Sequence, residues 1–435
     1  MRILFLSQIV PYPPHGGVLQ RGYNIVREIG RRNEVHLLAF VHPDVLGTPA
    51  LVEESRAALQ QHCARVEYYR LWPKDSPRLG KLSYLWSGAS RSPFSVIAHR
   101  SREFRTAIHR TLAAHPIDLV HYDTLALAQF MPPGRRTPST LTHHNIESQL
   151  MARRAAKETN PLARLYLRNE AAKLRAYESA HCRDFDLNIV VSDADAQTLQ
   201  SIVPGIHTQT VVNGVDVDYF RPAPAERGST SEPALIYTGG MNMFANRDAV
   251  MYFLREIWPT VKAGMPAVRF YAVGQDPPEE VLRIAAADPQ VIVTGYVDDI
   301  RPYVNRAAVY VVPLRVGGGT RLKVVDAMAM GKAIVSTRIG AEGIRVTEGR
   351  DVLLADEPQH FAETTLRLLR DPQARARLGA AARLLAEDAY SWDHVGAKLQ
   401  GAYESITSGK VRRTVPSASE TSDRRPVPAP SRAME

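Results

Sequence analysis

Cysteine is nearly missing from this sequence: Cys63 and Cys182 are the two in 435 residues. They supply neither a disulfide framework nor a thiolate metal cluster, which fits a reducing compartment. No apolar run approaches the length needed to cross a bilayer. The opening MRILFLSQIV is interrupted by Ser7 and Gln8 and runs into PYPP, so it reads as a first strand rather than a secretion signal. The G-x-G-x-x-G pattern of nicotinamide and flavin sites is absent, which counts against a dehydrogenase. No recognised nucleic-acid motif accompanies the net charge of +9. These absences predict a water-soluble chain, or one that lies on a membrane without crossing it. A hydrophobic content of 45% is enough for a real core.

What is present alternates. RILFLSQ leads through PPHGG into a helical stretch, Val18–Gly30, and then the strand EVHLLAF. DLVHYD, STLTHH, DLNIVVS and TQTVVNG complete a first half. RPAPAERGSTSEP is a linker by composition. The second half has ALIYTGG, a helix over Asn246–Lys262, then VRFYAVG, VIVTGYV, VYVVP and AIVST. Strands alternating with helices predict an α/β fold with two doubly wound, parallel-sheet, Rossmann-like domains facing across a cleft. The expected division is an N-terminal domain over 1–220, a linker over 221–233 and a C-terminal domain over 234–387. Residues 409–435, rich in proline and serine, read as a disordered tail.

Each half places glycines after strands, where such sheets bind ligands. Gly16 and Gly17 follow the opening strand, Gly239 and Gly240 follow the first strand of the second half, and Gly317, Gly318 and Gly319 follow VYVVP. Taken singly, each could be only a tight turn. The last set runs into Thr320, a potential helix cap, and then Arg321 and Lys323 in the first helical turn. Cations there cost about 0.3–1 kcal/mol each against the helix dipole. An anionic ligand reverses the sign, because free N–H groups, the dipole and two cations all attract it. The alternative is that both side chains bend away to acids elsewhere. Asp326 follows one turn later on the same face and could instead pair with Lys323. Two glycine loops across a cleft suit a diphosphate-bearing ligand.

Several motifs then carry a resemblance. VVNGVDVDYF (211–220), DAMAMGKAIVST (326–337), HHNIES (143–148), VVSDAD (190–195) and YSWD (390–393) resemble, in order, segments of the family 4 glycosyltransferases of GT-B fold. GGGTRLK and the GMN…N turn resemble sugar transferases of bacterial exopolysaccharide and exosortase systems. The resemblance implies a retaining hexosyltransferase with a nucleotide-diphosphate sugar as donor, no other cofactor and no metal. The acceptor would be a glycan or lipid-linked saccharide. It implies a helix over 388–408 crossing back to the first domain. Arg321 and Lys323 would neutralise the diphosphate, with Gly16, Gly17, Gly239, Gly240, Gly318, Gly319 and Thr320 as donor-binding loops. Asp326 would hold the ribose, and His144 would bond the donor sugar, with Glu147 orienting its loop. His144 could equally bond a backbone carbonyl at a strand end. Asp193–Asp195 resembles a metal-binding D-x-D but reads better as a helix cap.

Two departures stand out. Gly318 occupies the first position of the family's Glu-x7-Glu pair, and Asp326 the second. Only Arg247 follows the first glycine loop of the second half, where many members carry an Arg and a Lys, so Arg321 and Lys323 are expected to take over that task. The alternatives are a nucleotide-sugar epimerase of the same fold or a non-catalytic nucleotide-binding relative. The excess of bases concentrates at Lys81–Arg110 and Arg153–Arg183. Either stretch taken alone is by default a solvated helix face; together they predict an anionic membrane surface or polyanionic acceptor as partner rather than nucleic acid, and a cytoplasmic protein peripheral to the inner face of the membrane.

Overall fold

The computed structural model describes residues 1–14, 17–71, 87, 90–134, 136–222, 232–317 and 321–409. Gly16, Gly318, Gly319, Thr320, most of the linker, the tail from Lys410 and part of Lys81–Arg110 therefore lie outside the described residues. Two parallel sheets organise the chain. The first has seven strands: β1 (Arg2–Ser7), β2 (Glu34–Val41), β3 (Arg65–Arg70), β4 (Leu119–Tyr122), β5 (Ser139–His143), β6 (Leu187–Val190) and β7 (Thr208–Thr210), in the order β3-β2-β1-β4-β5-β6-β7. The second has six: β8 (Glu232–Thr238), β9 (Arg269–Val273), β10 (Val291–Gly295), β11 (Ala307–Val312), β12 (Ala333–Ser336) and β13 (Leu353–Leu354), ordered β10-β9-β8-β11-β12-β13.

The helices are α1 (Gly17–Gly30), α2 (Pro49–Gln60), α3 (Phe94–Ala98), α4 (Arg102–Ala114), α5 (Glu147–Lys157), α6 (Pro161–His181), α7 (Asp193–Ile202), α8 (Phe244–Tyr252), α9 (Trp258–Gly264), α10 (Glu279–Ala287), α11 (Arg301–Arg306), α12 (Leu322–Ala329), α13 (Pro358–Arg370), α14 (Pro372–Tyr390) and α15 (Trp392–Thr407). Continuous apolar runs such as AAVYVV are buried along their whole length because helices cover both faces of a parallel sheet. The helix expected over Asn246–Lys262 is a composite: a π-helical turn, Phe253–Ile257, joins α8 to α9. Pro259 has no N–H to donate to the turn before it, so the ladder slips there.

Strand order reverses between β1 and β4 in one sheet and between β8 and β11 in the other. Crevices open at those switch points, beyond the carboxyl ends of the strands. Asp123 and Gly239 open the connections after β4 and β8, and Gly17 and Arg321 stand at the far ends of those after β1 and β11. The topology thus aims the glycine loops of both domains at one cleft.

The chain returns to the first domain at its end. α15 packs on α1, with Trp392, Val395, Leu399, Tyr403 and Ile406 buried in an apolar cluster shared with Ile25 and Ile29. Tyr403 Oη lies 2.8 Å from His121 Nδ1, and Asn33 Nδ2 donates to Gln400 Oε1 at 2.8 Å. Where the chain crosses back, Val215 N donates to Tyr390 O at 2.7 Å, and Val215 bridges Ser391. Arg383 on α14 donates to Val217 O and Phe220 O at 2.9 and 2.8 Å. Arg21, buried on α1, holds the same segment through Val211 O, Val212 O and Asn213 Oδ1 at 2.8–3.0 Å.

Gly214 is required by contact. A Cβ there would lie 2.5 Å from Trp392 Cδ2, so Gly214→Ala should cost about 1–3 kcal/mol by overpacking. Gly401, on the same helix as Trp392, has open space around its position. Gly401→Ala should stabilise by about 0.5–1 kcal/mol through helix propensity. Denaturant midpoints of the two variants should therefore move in opposite directions, with unchanged m-values.

Candidate functional site

The second domain builds its side of the cleft around one amine. Lys323, in the first turn of α12, donates to Tyr237 Oη at 2.7 Å and to Asn246 Oδ1 at 2.6 Å. It also lies 4.2 Å from the centre of the Tyr237 ring. Tyr237 itself donates to Asn246 Oδ1 at 2.8 Å, and Asn246 Nδ2 donates to Gly240 O at 2.8 Å. The amide is thereby oriented with its oxygen toward the lysine. Gly239 has φ +148°, and a Cβ there would sit 2.4 Å from Lys323 Nζ. The first glycine loop of this domain therefore lies directly over the lysine of the other loop.

No carboxylate pairs with Lys323 within ion-pair distance among the described residues, so burial lowers its pKa to about 7. The Lys323–Asp326 pair that the spacing permits does not form. Asp326 Oδ1 is instead sealed from solvent with no hydrogen-bond partner among the described residues, and burial raises its pKa to about 7. A buried acceptor left open in this way is costly unless something else meets it.

Thr320, the expected cap, lies outside the described residues. α12 begins at Leu322 with Arg321 at the N-cap position, and among the described residues no side chain caps its first turn. An anion could meet amides left open there. Arg321 is 7% exposed, and burial lowers its pKa despite Glu342, whose Oε2 lies 3.5 Å from Nη2. Arg321 also approaches Gly317 so closely that a Cβ there would fall 2.7 Å from Nη2. Gly317 has φ +148°, which L side chains rarely adopt.

On the facing wall, Gly17 opens α1 with the position of its absent Cβ 3.6 Å from Leu322 Cδ1, between the two cations in sequence. His144 follows β5, and its Nε2 lies 3.3 Å from Asp123 Oδ1, an ion-pair distance without hydrogen-bond alignment. The histidine's partner is thus a side chain, not a strand-end carbonyl. Asp123 follows β4 and is buried. Burial opposes its ionisation, but His144 and His121 outweigh it and hold the carboxyl well below its usual range. Glu147 opens α5. Burial, reinforced by Glu178, raises its pKa to about 7. Thr124 and Ser95 hydroxyls lie 3.4 Å from its oxygens.

Arg153 of α5 reaches across, donating to Glu342 at 3.2 and 3.3 Å and to Gly317 O at 3.3 Å. Asn145, Gln149, Arg153, Asp195 and Glu342 line a small interdomain cavity of about 40 Å³, next in sequence to His144. Asp193 pairs with Arg345, and Ser192 caps α7 while donating to Asp195 at 2.6 Å. Both aspartates of the D-x-D stretch are thereby engaged. Among the described residues no group of three or more His, Cys, Asp or Glu is placed to hold a metal.

So the structure joins Arg321, Lys323, Asp326, Gly239 and Gly240 on one wall and sets Gly17 and His144 on the other. Sequence reasoning missed Tyr237, Asn246, Asp123, Arg153 and Glu342. Asn246 stood in the GMN…N turn, Tyr237 in ALIYTGG, Asp123 in DLVHYD and Arg153 in the basic Arg153–Arg183 stretch, each singled out for another reason.

Residues 232–371 match the family model described as Glycosyl transferases group 1. A GDP-mannose-dependent monoacylated alpha-(1-6)-phosphatidylinositol monomannoside mannosyltransferase of Corynebacterium glutamicum is 26% identical over 209 residues, 44% of this chain and 55% of that protein. The chain thus spans little more than half the length of that relative. A GDP-mannose-dependent alpha-(1-6)-phosphatidylinositol monomannoside mannosyltransferase of Mycolicibacterium smegmatis is 24% identical over 340 residues, 72% of this chain and 84% of its own. The fold matches Anabaena HepE in complex with UDP at TM-score 0.63 and 17% identity, covering 93% of this chain and 100% of that one.

The buried pair makes stability depend on pH in two opposed limbs. Lys323 titrates near 7 folded and about 10.4 unfolded. Between those values the unfolded chain binds the extra proton, so stability rises with pH. Asp326 titrates near 7 folded and about 3.9 unfolded. There the folded chain binds the extra proton, so stability falls as pH rises toward 7. Lys323→Met should remove the rise above pH 7, and Asp326→Asn the fall below it. Denaturant unfolding of each variant and the parent across pH 4–10 reads the difference.

Proposed function

We propose that this chain, a two-domain GT-B protein whose second domain belongs to the group 1 glycosyl transferases, moves a hexose from a nucleotide-diphosphate sugar to a glycan or lipid-linked acceptor. The transfer proceeds with retention of anomeric configuration, and the donor is the only cofactor-like molecule required. The motifs resembling exopolysaccharide enzymes support a role in bacterial surface polysaccharide assembly, in the cytoplasm and against the inner face of the membrane. Both mannosyltransferase relatives are named for phosphatidylinositol-borne acceptors, which favours the lipid-linked class. No helix among the described residues is long and apolar enough to cross a membrane.

One observation carries the reading. Two buried cations meet at a helix start that no described side chain caps, a second glycine loop closes over Lys323, and a buried carboxylate oxygen on the same helix lacks a partner among the described residues. A diphosphate would satisfy the cations and the α12 amides, and a ribose hydroxyl would satisfy Asp326. As the bond between the sugar and the diphosphate breaks, its electron pair goes to the phosphate oxygen. Arg321 and Lys323 would stabilise that charge in a site that pays no reorganisation. The acceptor oxygen bonds to the sugar carbon, and its proton passes to the departing phosphate. His144, held by Asp123, would bond the donor sugar from the facing wall. An epimerase of the same fold would turn over the nucleotide sugar with no acceptor present. A binding-only relative, which the glycine at position 318 would suit, would take up nucleotide without releasing product.

Titration calorimetry with nucleoside diphosphates and inorganic pyrophosphate tests the assignment. Arg321→Ala and Lys323→Ala should each weaken nucleoside diphosphate by one to two decades, since a charge-assisted contact is worth about 1.5–3 kcal/mol. Asp326→Asn should weaken nucleoside diphosphate but leave pyrophosphate nearly unchanged. Binding at pH 8 should also take up a proton, because the phosphates draw Lys323 back to its charged form. Unchanged affinity in the Arg321/Lys323 double variant would remove the site.

A further inference from the structure

The two most exposed large apolar side chains among the described residues are neighbours. Leu162 is 78% and Leu165 66% exposed, one turn apart at the start of α6. They project from the tip of the hairpin that α5 and α6 form, and that tip is built. Asn160 caps α6 by accepting from Leu162 N and Ala163 N at 3.0 and 3.2 Å. Arg164 grips Glu158 O with two donors at 2.9 and 2.7 Å, and Glu158 Oε1 accepts from Asn160 N. The base is fastened equally well: Glu170 takes Lys173, Ser87 Oγ and Phe94 N, and Glu178 takes Ser148. The leucines are therefore held outward by a capped helix rather than left on a slack loop.

Near them on the two helices stand Arg154, Lys157 and Arg168, all exposed and with no ion-pair partner among the described residues. Unpaired cations ringing protruding leucines match a surface that offers anionic headgroups over an apolar interior. We propose that the α5–α6 tip docks on an anionic bilayer, its leucines entering the headgroup boundary and its cations meeting lipid phosphates. The proposal rests on the reading of a lipid-linked acceptor for its purpose. α5 begins at Glu147, beside His144, and its eleven residues span roughly 16 Å at 1.5 Å per residue. The tip would thus set the cleft mouth one short helix away from the lipid surface.

Cosedimentation with phosphatidylglycerol and phosphatidylcholine vesicles tests it on the full chain. Phosphatidylglycerol should bind the parent, less well in high salt, and phosphatidylcholine hardly at all. Leu162→Asp/Leu165→Asp should weaken vesicle binding by more than about tenfold, since each change removes insertion and adds repulsion. Arg154→Gln/Lys157→Gln/Arg168→Gln should weaken it on the order of a hundredfold. Nucleoside diphosphate affinity should stay at the parent value in both variants, which shows that they fold. Equal binding to both vesicle types overturns the proposal, as does unchanged binding by the leucine variant. So does a leucine variant that loses self-association by sedimentation velocity while vesicle binding stays the same, because the patch would then serve a second copy. Vesicle binding without nucleotide binding would sink the proposed transfer and leave the docking intact.

Discussion

A lysine amine enclosed beside neutral oxygens organises the second domain's half of the cleft. Its desolvation is unfavourable on its own terms, and hydrogen bonds to Tyr237 and Asn246 offset only part of that cost. Several choices follow from keeping it there. Gly239 must lack a side chain, because any Cβ would meet the amine. Asn246 must be an amide with its nitrogen turned to Gly240 O, because only its oxygen can accept from both neighbours. The β8 and β11 loops, at adjacent strands of the switch point, are thereby locked into one surface. A second buried cation, Arg321, and the open Asp326 Oδ1 lie on the same helix as this lysine or at its start.

The first domain contributes its chemistry differently. Asp123 and His144 come from neighbouring parallel strands, β4 and β5, whose carboxyl ends must lie side by side. Their proximity is a product of sheet register more than of local sequence. The domains then share Glu342, which faces Arg153 from one side and Arg321 from the other. This carboxylate lies beside cations that the proposed diphosphate would also meet.

Much of this was legible in the chain itself. β-branched runs broken by glycine turns marked the sheets, and two cations in a helical first turn marked the pocket, because neither pattern has a good local explanation. What escaped was relational. Tyr237 looks like any strand aromatic until Lys323 is brought against its ring. Asp123 gains meaning only when β4 and β5 pair, and Arg153 only when the domains meet. The π-helical turn before Trp258 was invisible because the apolar period continues through it while the hydrogen bonds slip.

The return of the chain through α14 and α15 has a mechanical consequence. The segment leaving the first domain and the segment coming back run side by side, joined by the Val215–Tyr390 hydrogen bond and the Val215–Ser391 bridge. Arg383 ties the outgoing segment to α14 a few residues further on. A single strand between two bodies would let one twist freely about the other. Two strands fastened together resist torsion along their length and yield most easily to bending. The two halves of the cleft should therefore approach and part like the covers of a book on a stitched spine, and the glycine loops come back into register at each closure.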